Sequence, residues 1–128
     1  MRSIYSLATA LLLLLLSSSS WALGLGEITV TSKLGERFNA IVEVTDTAGL
    51  DVEQIKASNA TADIYTLLNV DNSFIYQSFK LNLSKVDGKQ VLNITTSDSI
   101  REPYLNFVIQ LKWPSGQVNK EFKVFIDP

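Results

Sequence analysis

Residues Leu105 to Gln117 read LNFVIQLKWPSGQ. Leu105, Phe107, Ile109, Leu111 and Trp113 fall on alternate positions. Trp113-Pro114-Ser115-Gly116 then places proline second and glycine fourth, the pattern of a type I turn. Beyond it, Val118, Phe122, Val124 and Ile126 share one parity, with Lys120 as the polar member of that row. A period of two is the signature of strands buried on one face. Each of these large side chains contributes on the order of 1.5–3 kcal/mol when buried. The C-terminal hairpin is therefore expected at the centre of a core.

Working back along the chain, the same period recurs. Phe79, Leu81 and Leu83 alternate with Lys80, Asn82 and Ser84; Asp87-Gly88 follows, suited to the positive φ angles of a type I′ turn, and Leu92 and Ile94 lead the return strand. Phe38, Ala40, Val42 and Val44 occupy one parity against Asn39, Glu43 and Thr45, and Ile28 and Val30 alternate with Glu27 and Thr29. Val52 to Ala57 is expected to be a short third strand. In Asn59 to Leu68, Ile64, Leu67 and Leu68 stand at i, i+3 and i+4, with Asn59 or Thr61 as N-cap, which predicts a helix of one or two turns that needs packing to persist. About seven short strands at this spacing predict an all-β, immunoglobulin-like antiparallel sandwich with one short helix in a connection.

The start of the chain has a different character. Arg2 precedes an apolar run, Leu7 to Leu16, broken only by Thr9; serines and Ser20-Trp21-Ala22 follow. That is the layout of a secretory signal peptide over residues 1–22, cleaved after Ala22. The alternative is a membrane anchor, but the run is about half the roughly 20 residues a bilayer requires. One domain is then expected over residues 23–128. Losing Arg2 takes the basic side chains from eleven to ten, against thirteen acidic ones. With no Lys/Arg cluster, nothing points to nucleic acid.

Composition removes most catalytic chemistry. There is no histidine and no cysteine, so a serine triad, a cysteine nucleophile and a His- or Cys-based zinc site are all excluded. Asp46 with Asp51, and Asp98 with Glu102, lie at turns without ligand spacing and read as solvated loops. Gly24-Leu25-Gly26 lacks the third glycine and the helix of a nucleotide fingerprint and reads as a flexible lead into the first strand. The sequons at Asn59, Asn82 and Asn93 fit ordinary polar alternation on strands. No enzyme and no cofactor are expected.

Two blocks carry a family resemblance: ALGLGEITVTS (Ala22 to Ser32) and IREPYLNFVIQLKWPSGQVNKEFKVFID (Ile100 to Asp127). They resemble the N-terminal domain of the FimV/HubP family of Gram-negative bacteria, in its Ala-Leu-Gly-Leu-Gly start, its Arg-Glu-Pro-aromatic strand entry and its Trp-Pro-Ser-Gly turn. Leu50 to Gly88 matches loosely. The resemblance implies a periplasmic, non-enzymatic adaptor of the cell envelope, acting by protein–protein contact in type IV pilus assembly, twitching motility or organisation of the cell pole. In longer members this domain precedes a peptidoglycan-binding module, a transmembrane helix and a cytoplasmic repeat region. The rival readings are a sandwich binding glycan or peptidoglycan directly, and a periplasmic chaperone-like domain.

Candidate partner residues come from the parity opposite the core. Ile41, Val91, Tyr104, Val108 and Phe125 are expected to face outward, and if their strands are neighbours they form an apolar interaction patch. The alternative is that Ile64, Leu67 and Leu68 cover it. Arg101, in Arg101-Glu102-Pro103, is either a binding residue or an edge device that blocks unwanted pairing. Free sheet edges would offer strand addition as a second binding mode.

Overall fold

A computed structural model describes residues 23–47 and 49–128; the expected signal peptide lies outside the described residues. Alternation becomes strand wherever it was read. Among the described residues the strands are β1 (Gly24–Val30), β2 (Arg37–Thr45), β3 (Lys56–Asn59), β4 (Lys80–Val86), β5 (Lys89–Ser99), β6 (Tyr104–Trp113) and β7 (Gly116–Phe125), with an α-helix, α1 (Ala62–Leu67), between β3 and β4. They form two antiparallel sheets ordered β1-β2-β5-β4 and β3-β6-β7, the constant-type immunoglobulin arrangement.

Both hairpins form as their turns predict. Val86 pairs with Lys89 around Asp87 and Gly88, which take φ of 51° and 79°, as a type I′ turn requires. Trp113 pairs with Gly116, and neither Pro114 nor Ser115 has a positive φ, as in a type I turn.

The inward rows meet between the sheets. Phe38, Ala40, Val42, Leu92 and Ile94 of one sheet, and Leu105, Phe107, Ile109 and Leu111 of the other, are fully buried. Phe107 is the hub: its ring lies 5.0 Å from Phe79, 5.7 Å from Tyr76, 5.8 Å from Phe122 and 6.5 Å from Phe38. Edge-to-face and tilted geometries prevail, as the ring quadrupole favours.

Four expectations need correction. Val52 to Ala57 is not one strand: Val52–Gln54 is a 3-10 turn and β3 begins at Lys56. The Asp51 N–H donates to Gln54 Oε1 at 2.9 Å and the Gln54 N–H to the Asp51 carbonyl at 3.0 Å, and this local closure outcompetes extended backbone. Gly24-Leu25-Gly26 is not a lead but the start of β1; a Cβ on Gly24 would stand 2.6 Å from Thr45 Oγ1. α1 exists, yet its buried residue is Tyr65, while Leu67 is 77% exposed. Trp113, on the core parity, is only half-buried, because it ends its strand beside the turn and packs on Gly116.

Candidate functional site

The residues proposed for a partner surface do not form one patch. Ile41 and Val91 lie on β2 and β5 of the four-stranded sheet, whereas Tyr104, Val108 and Phe125 lie on β6 and β7 of the other. Two layers of a sandwich face away from each other, so parity alone grouped residues that the fold separates.

Val108 is not exposed at all: its accessibility is 0%. The segment after β3 holds it. The Ala60 N–H donates to the Val108 carbonyl at 2.9 Å, and the Val108 N–H donates to the Tyr65 hydroxyl at 3.0 Å. Because Trp113 and Gly116 close the hairpin, odd-numbered residues of β6 bond to β7 and even-numbered ones face the β3 side. β3 reaches only as far as Ile109. Beyond its end, the N–H groups of Val108 and Asn106 meet the hydroxyls of Tyr65 and Tyr76, at 3.0 and 2.9 Å. The two rings stack with centroids 6.3 Å apart, and the Tyr65 O–H donates a hydrogen bond to Asn59 Oδ1. A pair of tyrosines thus finishes an edge that a longer strand would otherwise cover. Burial pushes both hydroxyls above the usual tyrosine range; the backbone N–H bonds from Val108 and Asn106 oppose that rise, and nearby Tyr76 adds to it for Tyr65.

Tyr104 and Phe125 do come together. They are directly opposite in the β6–β7 register, with ring centroids 5.0 Å apart, and Phe125 is 77% exposed. On one side of Tyr104, a depression of about 450 Å³ is lined by Asp71, Ser73, Tyr76 and Asn106. Arg101 is exposed and lines a neighbouring depression of about 570 Å³ with Phe74, Ile75 and Glu102. Phe74, 83% exposed, was not singled out from the sequence, although an aromatic residue within Asp71-Asn72-Ser73 and Gln77-Ser78 is a legible oddity. Ile41 and Val91 share a separate depression of about 620 Å³ with Val86, ringed by Glu27, Glu43 and Lys89.

A fourth concavity, about 630 Å³, opens between β3 and β4. Ile55, Leu81 and Leu83 line it, with Glu53, Lys56 and Lys112 among its polar residues. Among the described residues, no three carboxylates gather as metal ligands, and no helix is long and apolar enough to cross a membrane.

Comparison with known proteins gives one consistent answer. The family described as the FimV N-terminal Ig-like domain matches residues 23–128. The chain is 34% identical over 115 residues to the motility hub protein FimV from each of two strains of Pseudomonas aeruginosa. Those alignments cover 89% of this chain and 12% of each relative, so the chain spans about an eighth of their length. No solved structure shows a significant match.

Proposed function

The chain belongs to the FimV N-terminal domain family, and from that membership we propose that it is an exported, non-enzymatic adaptor domain of the cell envelope. It leaves the cytoplasm by the leader over residues 1–22 and works in the periplasm. Its part is protein–protein contact in type IV pilus assembly, motility or polar organisation, in line with the motility-hub title of its relatives.

The observation that supports this most is the Tyr104–Phe125 pair. Two paired aromatic rings, Phe125 77% and Tyr104 42% exposed, leave uncovered part of the burial that contributes on the order of 1.5–3 kcal/mol per ring elsewhere in the core. Rings and arginine are also the residue types that dominate binding energy at interfaces. Val108 belongs to this reading as support for the β6 backbone, not as a contact.

A photo-crosslinking side chain placed at Phe125 in the exported full chain tests it. Cross-links to envelope polypeptides, lost in the Tyr104→Ser, Phe125→Ser double variant with the crosslinker moved to Phe74, support the adaptor. Cross-linking no stronger than from Ser115, at the far end of β6 and β7, defeats it. Retention on protein-free peptidoglycan sacculi through the same residues would favour the glycan-binding reading instead. N-terminal sequencing of the exported product should begin at Leu23.

A further inference from the structure

The sandwich has two long sides, and one of them is left open. On the first, β1 and β7 lie next to each other, and the Lys120 ammonium donates to the carbonyls of Leu25 and Gly26 at 2.8 and 3.1 Å. The β1 register also shifts between Leu25 and Ile28, a bulge that twists the edge. On the other side β4 is the last strand of its sheet. Val86 and Lys89 close a two-residue turn, so Val86, Ser84 and Asn82 bond to β5. Antiparallel alternation then directs the N–H and C=O groups of Leu81, Leu83 and Lys85 away from the sheet.

The groove beside this edge has a definite chemistry. Its apolar wall is Ile55, Leu81 and Leu83, the last two only half-buried although they belong to the inward row. Lys56 and Lys112 stand directly opposite each other across the β3–β6 register. Like charges in that position oppose folding, and both lysines line the groove. Glu53 is the one acidic residue among those that line the groove, and Lys85 lies farther along the same edge of β4. A second copy pairing edge to edge would set lysines against lysines, the usual defence of an edge strand. An acidic strand meets no such barrier.

We propose that the β4 edge and its groove form a strand-addition site for an extended, acidic segment of a partner polypeptide. The segment bonds to the backbone of Leu81, Leu83 and Lys85 and lays alternate apolar side chains over Ile55, Leu81 and Leu83. Its carboxylates meet Lys56, Lys112 and Lys85. The site is separate from the Tyr104–Phe125 face and rests on the adaptor reading only in taking a polypeptide.

The test titrates the full chain with an end-blocked peptide alternating valine with glutamate, and with a second peptide alternating valine with lysine. Amide exchange at Leu81, Leu83 and Lys85 is followed by NMR. The glutamate peptide should slow those three amides by about tenfold when present at ten times its dissociation constant. The lysine peptide should not. Lys56→Glu with Lys112→Glu leaves the backbone intact and should weaken glutamate-peptide binding roughly five- to tenfold, the effect of two exposed ion pairs. Leu83→Pro, at a residue that gives no N–H to β5, should abolish it. Equal protection by both peptides, protection confined to other strands, or protection that grows with protein concentration alone overturns the proposal. Its failure with the Phe125 cross-links intact leaves the adaptor reading standing; loss of those cross-links with peptide binding intact does the reverse.

Discussion

The β1/β7 side of the sandwich and the β3/β4 side are made of similar strands and end in opposite ways. On the first, an alternating row presents Lys120 where an apolar residue is expected; its ammonium closes the gap to Leu25 and Gly26 and lies over the Phe122 ring, 5.4 Å from the ring centre. On the second, lysines stand around an apolar groove without bridging it. The same residue type locks one edge and leaves the other accessible. What differs is whether backbone carbonyls lie within reach of the ammonium. Where β6 outruns β3, a third solution appears: the tyrosine hydroxyls of Tyr65 and Tyr76 take the bonds a strand would have made.

Substitutions can break this contrast or sharpen it. The largest effect is expected where both sides share one support. Phe107→Ala removes the ring that touches both sheets and should cost about 3–5 kcal/mol, read by denaturant unfolding. Amide exchange should then rise on both sides alike. A loss confined to one side would show that the sides have separate cores.

Tyr65→Phe keeps the ring and strands the Val108 N–H, which should cost about 1–3 kcal/mol. The effect should concentrate at Val108 and Ala60. These tyrosines also set an alkaline limit. Both hydroxyls ionise above their ordinary value in the folded state, so the unfolded chain releases its protons first, near pH 10. Stability is therefore complete below that pH and falls as pH rises toward the folded values. The Tyr65→Phe, Tyr76→Phe variant should lose less of its stability over that range than the parent does.

Lys120→Met preserves the apolar stem and deletes the donors to Leu25 and Gly26. A cost of about 1–2 kcal/mol is expected, with exchange rising at β1 and not at β4. Equal change at both edges would erase the contrast between them. The smallest effect has the opposite sign. Lys56→Glu turns a like-charged cross-strand pair into an opposite one and should stabilise the chain by about 0.2–1 kcal/mol at low salt. Such a gain would mark Lys56 as a residue that folding does not need.

The strands were legible in the sequence because each buried row repeats every second residue, and Phe38 to Val44 and Leu105 to Leu111 say so without help from distant residues. The turn residues Asp87-Gly88 and Trp113-Pro114-Ser115-Gly116 set the two hairpins by local φ preference alone. α1 was legible as a helix but not by its buried face. Ile64, Leu67 and Leu68 have the helical spacing, whereas Tyr65 is buried because an N–H on β6, 43 residues away, needs an acceptor. Val108 shows the same limit from the other direction: its outward parity is real, and a connection packed on it removes it from water. The partner surface suffered most, since parity assigns a residue to a face of its own strand without saying which sheet that strand joins.

What the sequence determined by itself was set by nearest neighbours along the chain: the positions of the strands with a clear alternating row, both tight turns, the sandwich class and the absence of histidine and cysteine chemistry. Strand order, the cross-strand meeting of Lys56 with Lys112, the tyrosine caps and the choice of which edge stays open were decided only in three dimensions. Each depends on a hydrogen bond or a charge contact between residues far apart in the chain, and no local period encodes such a meeting.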